Sequence, residues 1–186
     1  MAKKVRIPTP LRKLTNNEEV VEVNADNVGA RALRGEARLR QGRPKEALDD
    51  LELARASSQS DPMVRLHIAA AYQSLNRLAD ATQIAESLAS EYPDNMFVRV
   101  LLAETLARRG DSVAAREEYS AAIRGIVGEG TDDSGRRDEI RLRIAAIDLT
   151  AKRLDDARAM LAALERPDAQ ETLAMRARAA LLFGNP

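Results

Sequence analysis

The apolar positions of this chain change rhythm near residue 28. Upstream, Val5 and Ile7 alternate with Arg6, and Val20, Val21 and Val23 form a second β-rich run. Pro8, Pro10 and the turn-forming Thr15, Asn16 and Asn17 stand between them. Alternation around turn chemistry predicts a short β-hairpin within residues 1–27, with the prolines confining the first run to an edge or a bulge. Downstream the period becomes 3.6, the repeat of an amphipathic helix. The pattern predicts helix pairs at 28–41 with 45–57, 62–75 with 78–91, 96–109 with 112–125, and 137–151 with 154–165, then a single helix over 170–183. Asp61 before Pro62, and Asp111, are placed to cap helices, and Asp168 with Glu171 has capping-box spacing.

A longer period overlies the short one. Gly42, Asn76 and Gly110 recur at one constant interval, and Ala47, Ala81 and Ala115 keep the same step. A recurrence every ~34 residues marks helical hairpins that bury their apolar faces only by stacking on the next unit. Lys152 with Ala157 continues the series late, since the step from Ala115 to Ala157 is longer than the others. The excess coincides with the stretch 125–135, which carries Gly125, Gly128, Gly130 and Gly135. It predicts a flexible surface linker, a longer third helix pair, or both.

With these positions aligned, residues 28–186 resemble tetratricopeptide repeats. The small residue seven before each turn position is Gly35, Ala69, Ala103 and Ala145. The small residue five after it is Ala47, Ala81, Ala115 and Ala157. The large second-helix position is Leu51, Ala85, Tyr119 and Leu161, Tyr72 matches the family's first-helix aromatic, and Pro93 matches its terminal proline. The often-tryptophan position departs, being Arg31, Arg65, Arg99 and Arg141. That column is either stem-packed with wet heads or a basic stripe for an acidic partner. The resemblance implies an all-α, right-handed, tetratricopeptide-like solenoid of helical hairpins with a short N-terminal β-hairpin. Its repeats run at about 28–61, 62–95, 96–137 with the insertion, and 138–169, followed by the terminal helix 170–183. That last helix is either a cap or the start of a longer array.

Val5 to Thr15 followed by Glu19 to Val23 is similar to the opening hairpin of ubiquitin-like sulfur carriers of the molybdopterin and thiamine type. The similarity stops at about residue 28, and the carriers' terminal Gly-Gly is replaced by Gly184-Asn185-Pro186. No carrier residue transfers. An accessory or degenerate sulfur-carrier role is a second reading, and a self-assembling repeat protein, a homo-oligomer, is a third.

Composition narrows the chemistry. Charges balance at 29 basic and 29 acidic residues, which gives no support for a nucleic-acid partner. Cysteine is absent, removing disulfide and thiolate chemistry, and no apolar run reaches membrane-spanning length. Without a signal-peptide pattern the expectation is a cytoplasmic protein. His67 is the one histidine, with no cysteine and no second histidine to share a metal. Asp132-Asp133 lacks the alternating ligands of a calcium loop. The pairs Asp49-Asp50, Glu117-Glu118 and Asp155-Asp156 are adjacent, so they do not share a helix face. The expectation is no enzyme, no cofactor and no metal.

In the resembled family the first helix of each pair lines a concave groove. By phase, the groove positions are Met63, Leu66, His67 and Ala70, then Phe97, Val100, Leu101 and Glu104, then Leu142, Arg143 and Ala146. The family's clamp for acidic C termini uses Lys and Asn where this chain has Ala32, Glu36 and Ala70. A largely apolar strip instead suits a partner protein's amphipathic helix or apolar segment.

Overall fold

The computed structural model describes residues 3–6, 20–23, 28–57, 61–127 and 131–165. Among them the chain forms β1 (Lys3–Arg6), β2 (Val20–Val23), α1 (Val28–Arg40), α2 (Pro44–Ser57), α3 (Pro62–Ser74), α4 (Leu78–Glu91), α5 (Met96–Arg108), α6 (Ser112–Arg124), α7 (Thr131–Thr150) and α8 (Leu154–Ala162). The strands pair antiparallel, with Val5 opposite Val21 and Arg6 opposite Val20. The turn at Thr15 to Asn17, the capping box at Asp168 and the helix over 170–183 lie outside the described residues.

The long period is a period of left-handed turns. Gly42, Asn76, Gly110 and Lys152 have φ of 70°, 58°, 89° and 60°. At each, two backbone bonds close the preceding helix. Gly42 N–H donates to the Leu39 carbonyl and Arg43 N–H to that of Arg38. Asn76 and Arg77 bond Gln73 and Tyr72, Gly110 and Asp111 bond Ala107 and Leu106, and Lys152 and Arg153 bond Leu149 and Asp148. This is the Schellman pattern, which satisfies carbonyls a helix end would leave unpaired. Helix starts are equally local. The Asp61 carboxylate accepts from Met63 N–H, Asn95 from Phe97 N–H, and Asp111 from Ala114 N–H.

The contacts divide into two compact units, residues 1–77 and 78–186. In the first, α1 packs on α2, and α3 packs on both. Its core is Ala47, Leu51 and Ala54 of α2 with Val64, Ile68, Ala69 and Ala71 of α3. Gly35 lets α1 approach α2 so closely that a Cβ there would stand 2.6 Å from Leu51 Cγ. In the second unit α4 packs on α5, α5 on α6, α6 on α7 and α7 on α8. Ala103, Tyr119, Ala122, Ile140 and Ile144 form one buried cluster, and Ala145, Leu161 and Leu164 another. The alanines at the family's small positions, Ala69, Ala81, Ala103, Ala115, Ala145 and Ala157, are all buried.

The glycine-rich stretch corrects one expectation. Helix α7 starts at Thr131, not 137, and takes in Asp132, Asp133, Ser134 and Gly135. Acidic side chains in a first turn favour the positive end of the helix dipole, and Asp133 pairs with Arg136 at 3.3 Å. These local gains outweigh the single glycine within the helix. The extra residues are therefore mostly helix. Gly125, which closes α6, makes room for a neighbouring backbone, since a Cβ there would stand 2.5 Å from the Asp94 carbonyl oxygen.

Gly125→Ala is expected to lower stability by about 1–3 kcal/mol, because backbone rather than a mobile side chain must move; urea denaturation measures it. Lys152→Gly is expected to raise stability by about 0.5–1 kcal/mol in the same assay, since it relieves a left-handed turn from an exposed β-carbon.

Candidate protein-binding surface

On α3, Met63, Leu66, His67 and Ala70 are three or four residues apart and so share one face. Met63 is 54% exposed, while Leu66, His67 and Ala70 are half-buried. In the second unit, the Asn95 cap fixes where α5 begins and sets Phe97 in its first turn, 60% exposed. Val100 packs one turn on against the cluster around Tyr119, Ile140 and Ile144. Leu101 departs from expectation. It is 7% exposed, so it belongs to the core rather than to a partner-facing surface. On α7, Leu142 rests half-buried against Ala145, Leu161 and Leu164. Ala146 lines a cleft of about 430 Å³ with Ala107, Ile147, Thr150 and Ala151.

Glu104 and Arg143 meet directly across α5 and α7, and Arg143 Nη2 also donates to Glu139 Oε1 at 2.8 Å. Partial burial works against the Arg143 charge, but the Glu139 hydrogen bond and the Glu104 carboxylate outweigh it and raise its pKa. Burial also raises the pKa of Tyr119, which lies beside the same guanidinium.

The arginine column is tied up within the chain. Arg99 donates to Glu118 at 2.6 Å and to the Pro93 carbonyl at 2.8 Å. Arg141 bonds Asp138 at 3.1 Å and Glu165 at 2.9 Å, and Arg31 and Arg65 interact within the chain too. These contacts speak against a basic stripe. Two further arginine–carboxylate knots escaped sequence reasoning. The buried Asp50 accepts from Arg34 at 2.6 and 2.7 Å and from Arg38 at 2.7 Å, joining α1 to α2. The buried Asp148 accepts from Arg116 of α6 at 3.2 Å and from Arg153 at 2.9 Å. The available signal was an acid at an apolar-period position, with Arg34 and Arg38 spaced to share one face of α1. Removing one partner of such a knot leaves a buried charge unmatched. Among the described residues no three His, Cys, Asp or Glu side chains converge as a metal site, and no helix is long and apolar enough to cross a membrane.

With this geometry in place, likeness to solved structures is informative. A tetratricopeptide repeat protein from Parabacteroides merdae superposes with a TM-score of 0.69 at 18% identity, covering 94% of this chain and 63% of that one. The fold is that of tetratricopeptide repeats. PilF of Pseudomonas aeruginosa gives 0.67 at 18% identity over 94% of this chain and 74% of its own. SycD, a type III secretion translocator chaperone of Yersinia enterocolitica, gives 0.61 at 16% identity over 69% and 96%. No family model matches the sequence, and no curated protein matches it. These helical structures lend no support to the sulfur-carrier resemblance of the segment from Val5 to Val23.

The Glu165 carboxyl carries a testable pH dependence. Hydrogen bonds from Arg137, at 2.8 and 3.0 Å, and from Arg141 bring its pKa down to about 2. A depressed carboxyl pKa stabilises the folded state above the unfolded pKa near 4.5, and that contribution fades as pH falls toward 2. Glu165→Gln is expected to flatten part of the fall in melting temperature between pH 4.5 and 2, and thermal scans across that window measure it.

Proposed function

We propose that this chain is a non-enzymatic protein-interaction scaffold that holds a peptide or amphipathic helix of a partner protein on first-helix faces, that of α3 in the first unit and those of α5 and α7 in the second. The observation that carries the reading is the pair Met63 and Phe97. They stand one repeat interval apart at the same helical phase, and both large apolar side chains are more than half exposed. Contiguous exposed apolar patches mark interaction surfaces, and Met63 stands one turn from the half-buried Leu66 as Phe97 does from Val100. In the tetratricopeptide fold this phase faces the concave side. Leu66, His67 and Ala70 complete the α3 face, and Val100, Glu104, Leu142, Arg143 and Ala146 complete the α5 and α7 faces, with Leu101 in the core.

Phe97→Asp and Met63→Asp are each expected to weaken recovery of the partner from the native host at least tenfold, with helicity by circular dichroism near wild type. Val113→Asp, at an equally exposed position on α6, is the matched control and should retain the partner. Unchanged recovery with both groove variants excludes the surface.

A further inference from the structure

The most exposed apolar side chain on the α3 face ends in a sulfur, and sulfur is the one apolar group here whose polarity ordinary chemistry can change; this inference rests on the reading above. Among the described residues the methionines are Met63, Met96 and Met160. Met63 is 54% exposed. Met96 and Met160 are half-buried, and both pack against the cluster of Tyr119, Ile140 and Ile144. Oxidation of a thioether follows its access to the oxidant, so the three sulfurs are unequal targets. The chain has no cysteine, so no faster-reacting thiol of its own intercepts the oxidant.

The consequence of oxidation differs by place too. Oxygen on Met96 or Met160 puts a polar group into core packing and costs stability. The first turn of α3 is held by other means. The Asp61 carboxylate accepts from Met63 N–H at 2.9 Å, and Pro62 stands at the start of the helix. Neither feature uses the thioether. Oxygen at Met63 therefore leaves the helix standing and alters only what its outer face presents. A sulfoxide oxygen is polar and accepts hydrogen bonds. An apolar segment laid over it brings no donor and takes away its water.

We propose that Met63 is a site of reversible sulfur oxygenation by peroxide, and that its sulfoxide lowers the affinity of the α3 face for an apolar partner segment. The sulfur lone pair attacks one oxygen of hydrogen peroxide, and the O–O bond breaks. The sulfur keeps that oxygen, whose proton passes to the departing hydroxide, and water leaves. The sulfur is oxidised and the peroxide reduced. A methionine sulfoxide reductase supplied with an external dithiol reverses the step, the oxygen leaving as water and the dithiol becoming a disulfide.

The test exposes the full chain to hydrogen peroxide and follows each methionine by peptide mass spectrometry. Met63 is expected to gain its oxygen about tenfold faster than Met96 or Met160. The binding probe is the host protein recovered by the untreated chain. When Met63 is converted ahead of the other two, recovery should fall about fivefold while the melting temperature stays the same, and the reductase should restore it. Met63→Leu should bind and ignore peroxide. Met63→Gln, with a permanent polar amide, should bind weakly before any treatment. Equal oxidation rates at the three methionines, or a peroxide-induced loss that persists in Met63→Leu, overturns the proposal. Met63→Asp separates it from the broader reading. If that variant cuts recovery while the sulfoxide does not, the surface stands and only the oxygenation site loses its role. If that variant leaves recovery unchanged, the α3 surface fails with it.

Discussion

Two helices approach as closely as the side chains between them allow, and here that limit is set by one small residue per hairpin. Gly35 is the extreme case, since any side chain would enter the space of the buried Leu51. Ala69, Ala103 and Ala145 hold the corresponding positions with no exposed surface. Close approach lets modest side chains fill the core, which matters in a chain with 3% aromatic residues and no tryptophan. It also decides what remains outside. Once the alanine-lined faces are consumed, Met63 and Phe97, in the first turns of α3 and α5, stay accessible.

The helices were legible in the sequence because their signals are local. A left-handed residue after each first helix, a capping Asp or Asn before α3, α5 and α6, and apolar spacing at the helical period all act within a few positions. Helices α1 to α6 accordingly lie within one residue of their predicted bounds. The misread start of α7 has a local cause too. Glycines suggested a loop, but the aspartates beside them are good first-turn residues, and composition alone does not rank the two effects.

The candidate surface was less legible. Helical phase identifies which residues share a face, yet burial depends on what a neighbouring helix covers, and so Leu101 looked available when it is core. Ion pairing is harder still. In the knots on Asp50 and Asp148 every partner but Arg153 lies 12 to 32 positions away, a distance at which sequence spacing carries little information. The same holds for Arg143, whose partner Glu104 lies 39 positions away. With equal numbers of acids and bases in the chain, such pairings decide which charges stay open to a guest, and net charge does not reveal them.

The length of α7 has a consequence of its own. It runs 20 residues where α5 runs 13, yet its C-terminal turn at Lys152 keeps the same backbone bonds as the shorter repeats. Growth has gone entirely to the amino end, adding roughly 10 Å of rod at about 1.5 Å per residue. That end is therefore a natural grafting point. Foreign turns of helix spliced ahead of residue 131 should leave the register of the hairpin untouched, whereas the same insertion at the other end would have to rebuild the turn that closes it.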